Sequence, residues 1–173
     1  MKNPTISSGP QGRLDAKPGQ YLTFMLHNQE YGVPIGTVRE INRVVEITLV
    51  PQTPFFVAGV MNLRGRVIPV IDLRLKFGFE ATPYTRHTCI VVIEGIQGEF
   101  GAIVDAVTGV VNFTTHQLEP APTIGADAHL GFIMGMAKID KNVVIVVNII
   151  EIFSKEQLLT ETEKKITQQK AAA

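Results

Sequence analysis

Short apolar runs, each bounded by turn-forming residues, dominate the chain between Gln20 and Leu159. The runs are rich in Val and Ile and end at Gly, Pro, Asn or Asp, a pattern that is typical of β-strands. Two segments, YLTFMLHNQEYGVPI at 21–35 and TCIVVIEGIQGEFGAIV at 88–104, each place a tight turn between two such runs. We predict a β-hairpin at each, with turns at 27–30 and 95–98. The pattern therefore predicts a mainly β protein.

The strand pattern repeats along the chain. The segment from residue 29 aligns with the segment from residue 98 at an offset of 69, which pairs Val38 with Val107 and Ile41 with Val110. Later, VIPVIDL at 67–73 aligns with VVIVVNI at 143–149 at an offset of 76. Two ordered matches indicate an internal duplication, with copies near 20–77 and 86–149; chance similarity between Val-rich strands is the alternative. Because each copy is small for an independent core, we expect the copies to pack together and leave a groove between them.

The two ends of the chain differ from its centre. Near the end of the second copy, Asn148 is placed to cap a helix and Glu151 completes a capping-box pattern, which predicts a helix from Ile149 to about Leu159. The polar tail at 160–173 either prolongs that helix with fraying or is disordered. Residues 1–19 contain three Pro and three Gly with almost no apolar content, so we predict a flexible arm there.

Charge and cysteine content limit the function classes. Sixteen basic and sixteen acidic residues give no net charge, so the basic surface of a nucleic-acid binder or a membrane-surface protein is not expected. The single Cys89 excludes an intrachain disulfide and fits a reducing compartment. The apolar run at 142–153 contains Asn148 and Glu151 and is shorter than the roughly 20 residues of a membrane-spanning helix. These features predict a soluble, cytoplasmic protein.

No set of catalytic or metal-binding residues can be assembled from the sequence. The four histidines lie apart, without a second histidine or a cysteine at the spacing of metal ligands. No GxSxG nucleophile motif occurs, and the glycines lie within strands and turns and not between a strand and a helix. We therefore expect no catalytic residue, no metal and no cofactor, and the protein is predicted not to be an enzyme. A compact β protein with few reactive groups favours an adaptor.

Five blocks of the sequence form a characteristic set. They are EYGVPIGTVREI at 30–41, GVMNLRGRVIPVIDLRLKFG at 59–78, GAIVDAVTGVV at 101–111, LEPAP at 118–122 and VVIVVNIIEIF at 143–153. Together they resemble the CheW family of chemotaxis coupling proteins. The blocks follow the order of the family and cover about residues 20–158. The combination of NLRG, PVIDL and VDAV is much more specific than any single block.

The resemblance implies a fold of two SH3-like five-stranded β-barrel subdomains packed together, followed by a short C-terminal helix. On this basis a CheW-like domain is expected at 20–158, between the arm at 1–19 and the tail at 160–173. Within it, the first barrel is expected at about 20–82, the second at about 83–148 and the helix at about 149–159.

The resemblance also implies partners and contact residues. CheW-like proteins couple the cytoplasmic tip of transmembrane methyl-accepting chemotaxis proteins to the regulatory domain of the histidine kinase CheA, at membrane-associated receptor arrays. Val38 and Val107 would line or adjoin the groove between the barrels that receives the receptor, and Val110 belongs to the same candidate set. In the family, the arginine of NLRG faces a glutamate, which here implies an ion pair between Arg64 and Glu40.

Three assignments stay open at this point. Arg64 is either part of a structural ion pair that fixes a loop or a contact to the receptor. Asp72 and Asn148, at equivalent strand ends, are predicted to be turn or cap residues, with partner contacts as the alternative. For the whole protein, the alternative function is a small β-barrel that binds RNA or a ligand, although the sequence has no basic stripe and no tryptophan.

Overall fold

The computed structural model of the protein describes residues 16–121 and 132–152, which form two β-sheets with only short helices. The mainly β fold class predicted from the sequence is confirmed. The strands are β1 (Gly19–Leu26), β2 (Gln29–Pro34), β3 (Val38–Arg43), β4 (Val57–Leu63), β5 (Arg66–Asp72), β6 (Cys89–Gly95), β7 (Gly98–Val104), β8 (Ala106–Phe113), β9 (Leu118–Glu119), β10 (Ile133–Ile139) and β11 (Asn142–Val147). The α-helices are α1 (Leu73–Lys76) and α2 (Ile149–Ile152), and 3₁₀ turns lie at Ile35–Thr37 and Thr115–Gln117.

The predicted duplication is visible in the strands themselves. The β6–β7 hairpin and β8 follow β1, β2 and β3 at the offset of 69, and β10, β11 and α2 follow β4, β5 and α1 at the offset of 76. Asp72 ends β5 and caps α1, its carboxylate accepting a hydrogen bond from the backbone N–H of Arg74. The cap predicted at Asp72 is therefore confirmed, and α2 begins directly after the equivalent Asn148.

The two sheets exchange hairpins between the halves of the chain. One sheet has the strand order β8-β1-β2-β11-β10-β9, and the other has the order β3-β6-β7-β5-β4. The first half's β1–β2 hairpin thus lies between β8 and β11 of the second half, with a parallel pairing of β2 to β11. Equivalently, the β6–β7 hairpin lies between β3 and β5, with a parallel pairing of β7 to β5. Each sheet is therefore built from both halves.

The two sheets do not coincide with the ranges expected for the two barrels, 20–82 and 83–148, because each sheet takes strands from both ranges. The barrel boundaries themselves stay a prediction. One sheet also has six strands, since the two-residue β9 pairs with β10 at its edge. Each sheet can combine strands of both halves because strand pairing depends on contacts between distant segments, and a repeat gives each hairpin two equivalent sets of partners.

The start of the folded part also differs from the expected boundary at residue 20. Ala16 is buried beside Tyr21 and Phe113, and its backbone N–H donates to the carbonyl oxygen of Met134 at 3.3 Å. The hydroxyl of Tyr21 donates to the carbonyl oxygen of Lys17 at 2.5 Å. Residues 16–19 therefore belong to the fold, while the rest of the predicted arm, residues 153–159 of the predicted helix and the tail at 160–173 lie outside the described residues.

Three apolar clusters hold the sheets together. One cluster packs on the six-stranded sheet around Phe113 and Val144, and a second packs on the five-stranded sheet around Ile68 and Ile90. The third and largest is shared by both sheets, and we call it the shared core. Its largest fully buried members are Leu22, Phe24, Leu26, Phe56, Ile71, Leu73, Ile93, Phe100 and Ile149. Because β1 and β6 contribute alternate side chains to the shared core and to their own sheet's cluster, both are buried on both faces.

Within the two described ranges, no helix is long and apolar enough to cross a membrane.

Candidate interaction surface

Strands β3 and β8, each at one edge of its sheet, are equivalent in the repeat, and each carries a β-bulge at the same position. In β3, Val38 pairs with Ile93 and Glu40 with Val92, so Arg39 is the extra residue. In β8, the extra residue is Thr108, between the partners of Thr23 and Phe24. A bulge at a sheet edge turns side chains and interrupts pairing, so both edges are shaped in the same way.

Val38 and Val107 lie at the margin of the shared core. Both side chains are half-buried and pack against that core, Val38 from β3 and Val107 from β8. They therefore reach the same apolar cluster from edges of different sheets. Val110 is 53% exposed on β8, as is its equivalent Ile41, at 43%, on β3.

The ion pair predicted between Arg64 and Glu40 is present. Arg64 Nη1 lies 3.0 Å from Glu40 Oε2, and Glu40 Oε1 accepts a hydrogen bond of 2.7 Å from Asn42 Nδ2. Arg64 occupies the two-residue β4–β5 turn at a φ of 51°, followed by Gly65 at 84°. Positive φ at both turn positions is the conformation of a type I′ hairpin turn.

The exposure of this ion pair decides how much it stabilises the fold. The Arg64 side chain is 75% exposed and that of Glu40 is 22% exposed. An ion pair in contact with water contributes under about 1 kcal/mol because solvent screens it. The pair is therefore not a buried structural pair, and the side chain of Arg64 is accessible to a partner.

Replacing Arg64 with alanine is expected to lower the free energy of unfolding by less than about 1 kcal/mol. Urea denaturation of the two proteins, followed by circular dichroism, measures this difference. A loss of about 3 kcal/mol or more, as for a buried pair, would instead support the reading of Arg64 as a structural residue.

The predicted residues therefore fall into two groups. Glu40 and Arg64 are in direct contact on the five-stranded sheet, and Val38 adjoins them on β3. Val107 and Val110 lie on the six-stranded sheet, and of these two only Val107 packs against the shared core that Val38 also contacts.

Arg74, Asp72 and Asp105 form an ionic cluster that the sequence did not predict. Arg74 Nε and Nη2 donate to the two carboxylate oxygens of Asp72 at 3.0 and 2.8 Å, and Arg74 Nη1 donates to the carbonyl oxygen of Thr82 at 2.8 Å. Arg74 Nη1 also lies 3.5 Å from Asp105, whose other oxygen accepts the backbone N–H of His27 at 2.9 Å. The side-chain hydrogen bonds to Asp72 raise the pKa of Arg74 above its ordinary value, although burial opposes this.

This ionic cluster positions the candidate surface. Asp105 connects β7 in one sheet to β8 in the other and is two residues from Val107. Asp105 contacts both Arg74 and the backbone of the β1–β2 turn, so the cluster fixes the position at which β8 begins. The feature of the sequence that could have predicted this cluster is an arginine two residues after a helix-capping aspartate, within an apolar run.

A second exposed apolar surface lies on the connection between β3 and β4. Leu49 and Phe55 are well exposed there, with Val45 and Val50 beside them in the sequence. Thr48 holds this connection to β4 through paired backbone hydrogen bonds with Val60, of 2.8 and 2.9 Å. Exposed apolar groups of this kind are typical of surfaces that contact other proteins.

The comparisons with known proteins agree with this geometry. The profile of the CheW-like domain family matches residues 20–157. The chain belongs to the CheW-like family. The resemblance predicted from the sequence motifs is thus confirmed.

Similar proteins cover most of the chain. The chemotaxis protein CheW of Klebsiella aerogenes is 34% identical over 139 residues, which span 80% of this chain and 84% of that protein. The chemotaxis protein CheW of Helicobacter pylori is 32% identical over 151 residues, which span 87% of this chain and 90% of that protein. The crystal structure of the scaffolding protein TtCheW from Thermoanaerobacter tengcongensis superposes with a TM-score of 0.72 at 34% identity, covering 80% of this chain and 94% of that one. The CheW-like fold is therefore shared over nearly the whole solved relative.

Proposed function

We propose that this protein is a non-catalytic adaptor that couples transmembrane chemoreceptors to the histidine kinase CheA in bacterial chemotaxis. Membership of the CheW-like family supports the proposal, as do relatives described as chemotaxis proteins and a solved relative described as a scaffolding protein. In this role the protein works in the cytoplasm at receptor arrays, without a cofactor, nucleic acid or insertion into the membrane. Its partners are the regulatory domain of CheA and the cytoplasmic tip of methyl-accepting chemotaxis proteins.

The observation that carries the proposal is the pair of equivalent edge strands at the margin of the shared core. Val38 and Val107 present half-buried apolar groups there, from two sheets, beside solvent. A receptor helix lying along this margin would bury these groups further, as amphipathic helices do in apolar grooves. Val110 and the exposed Glu40–Arg64 pair would contact the same helix at the rim of the groove.

Weak individual contacts suit this role. An adaptor that joins a receptor to a kinase within an array gains its strength from several simultaneous contacts. Affinities on the order of micromolar for each partner are then sufficient.

Reconstitution with CheA and receptor fragments tests the proposal. Adding the protein is expected to raise kinase autophosphorylation in the presence of receptor, measured by transfer of radioactive phosphate from ATP. If the protein neither changes autophosphorylation nor binds either partner, the adaptor function is wrong.

Replacing Val110 with aspartate is expected to weaken receptor binding by about tenfold or more, because a charge would enter an apolar contact. Since the side chain is more than half exposed in the free protein, the folded state should be little affected. Val143→Asp is the matched control, because Val143 is 41% exposed on β11, which β1 and β2 separate from β8 in the same sheet. Equal losses in the two variants, or none in Val110→Asp, would contradict the placement of the receptor at β8.

A further inference from the structure

A small cavity lies where the end of β3 meets the segment between the two halves of the chain. It has a volume of about 320 Å³ and is lined by Arg43, Val44, Thr85, Arg86, His87 and Thr88. The antiparallel register pairs Arg43 with Cys89, which brings the end of β3 next to the residues just before β6. The cavity therefore follows from the pairing of β3 with β6 and lies outside the candidate interaction surface.

The wall of the cavity is a rigid β-turn at 85–88. The backbone N–H of Thr88 donates to the carbonyl oxygen of Thr85 at 3.2 Å, and the backbone N–H of Thr85 donates to Thr88 Oγ1 at 2.8 Å. The backbone N–H of His87 donates to Thr85 Oγ1 at 3.1 Å. Both hydroxyl oxygens act as acceptors in these bonds, which leaves each hydroxyl hydrogen to donate to a further group.

The arginines at this cavity differ from the other described arginines in their ion pairing. Among residues 16–121 and 132–152, four arginines lie beside a carboxylate: Arg39 beside Glu94, Arg64 beside Glu40, Arg66 beside Glu99 and Arg74 beside Asp72. In those same ranges, Arg43 and Arg86 pair with no carboxylate. These two unpaired guanidinium groups line one cavity.

A hydrogen bond to the neighbouring His87 orients the side chain of Arg86. Its Nε donates to His87 Nε2 at 3.2 Å, and within the described part of the chain its two terminal nitrogens have no carboxylate partner. A guanidinium presents its terminal N–H groups as a planar fork that matches two oxygens of a phosphate or carboxylate. Two guanidinium forks and two threonine residues line one cavity, and groups of these kinds can donate hydrogen bonds to an oxyanion.

We propose that this cavity binds the phosphate group of a small molecule. The tetrahedral oxygens of phosphate accept hydrogen bonds from several directions, which suits donors that come from both β3 and the 85–88 turn. The volume exceeds that of a phosphate ion alone and lies at the lower end of the range for small-molecule sites. The apolar side chain of Val44 would contact the remainder of the molecule.

Titration of the isotope-labelled full chain with inorganic phosphate, followed by amide resonances in NMR spectra at constant ionic strength, tests this site. We expect saturable shifts at residues 85–88 and at Arg43. Arg43→Ala and Arg86→Ala should each weaken phosphate binding by about tenfold, because each removes a charged donor. Arg39→Ala should bind phosphate like the wild type, since Arg39 lies on the same strand, is paired with Glu94 and does not line the cavity.

Several outcomes would overturn the proposal. If the chemical shifts rise without saturation, phosphate only screens surface charge. The same conclusion follows if Arg39→Ala weakens phosphate binding as much as Arg43→Ala and Arg86→Ala do. Unchanged binding in Arg43→Ala and Arg86→Ala would exclude the cavity. A parallel titration with acetate compares the two oxyanions, and acetate binding as tight as that of phosphate would assign the cavity to a carboxylate instead. The dispersion of the same spectra shows that each variant is folded.

Discussion

Replacing Arg74 with alanine is expected to lower the free energy of unfolding by about 3–5 kcal/mol. Both Arg74 and Asp72 are buried, and the variant would leave the Asp72 carboxylate buried without its charged partner. It would also release the carbonyl oxygen of Thr82 and the contact to Asp105. Urea denaturation measures the change, and a fall in the melting temperature on the order of 10 °C should accompany it.

Lys138→Ala is the control for this variant. Lys138 Nζ lies 2.8 Å from Glu119 Oε1 in an ion pair that is exposed at both ends, so its loss should cost less than about 1 kcal/mol. Arg74→Lys should fall between the two, because the ammonium keeps the charge but cannot make the paired hydrogen bonds to Asp72. If Arg74→Ala were no less stable than Lys138→Ala, the ionic cluster would not hold the two sheets together.

Gly59→Ala is expected to destabilise the fold by about 3 kcal/mol or more. The backbone of Gly59 has a φ of 145°, a conformation that side chains rarely adopt, at the bulge between β4 and β5. A methyl group there would overlap the carbonyl oxygen of Thr48 and lie 2.8 Å from its carbonyl carbon. Because those are backbone atoms held by the Thr48–Val60 hydrogen bonds, they cannot move aside as a flexible side chain would.

The matched control is Gly36→Ala in the turn at Ile35–Thr37. Apart from Gly36 and its two chain neighbours, no atom of the described residues lies within 4 Å of a methyl group built there, so this variant should be as stable as the wild type or slightly more stable. Equal unfolding free energies for Gly59→Ala and Gly36→Ala would show that the connection between β3 and β4 moves freely. In that case the exposed side chains of Leu49 and Phe55 would not form a fixed surface.

The strands and their equivalence could be predicted from the sequence because both follow from local patterns. Alternation, turn residues and the two offsets located the hairpins, and the same offsets relate β5 and α1 to β11 and α2. The exchange of hairpins could not be predicted in this way. A hairpin in a duplicated sequence has two equivalent sets of partners, and the choice depends on packing between distant segments.

Only part of the candidate site could be predicted, because the rest depends on contacts between segments that no local pattern relates. The Glu40–Arg64 pair came from the family resemblance, and only the structure revealed its exposure. Arg74 lies in the same motif as Arg64, yet its contacts are to Thr82 and Asp105, which lie outside that motif. The cavity between Arg43 and Arg86 likewise depends on the register of β3 against β6, which no local pattern specifies.

The exchange of hairpins has a consequence for how the chain assembles during synthesis on the ribosome. The five-stranded sheet is complete once residue 104 has been made, because all its strands lie between β3 and β7. The β1–β2 hairpin is synthesised first, but its sheet cannot form until β8 and β11 have also been synthesised. A nascent chain that stops before Asn142 therefore lacks an interior strand and leaves an edge of β2 open to pairing with another chain.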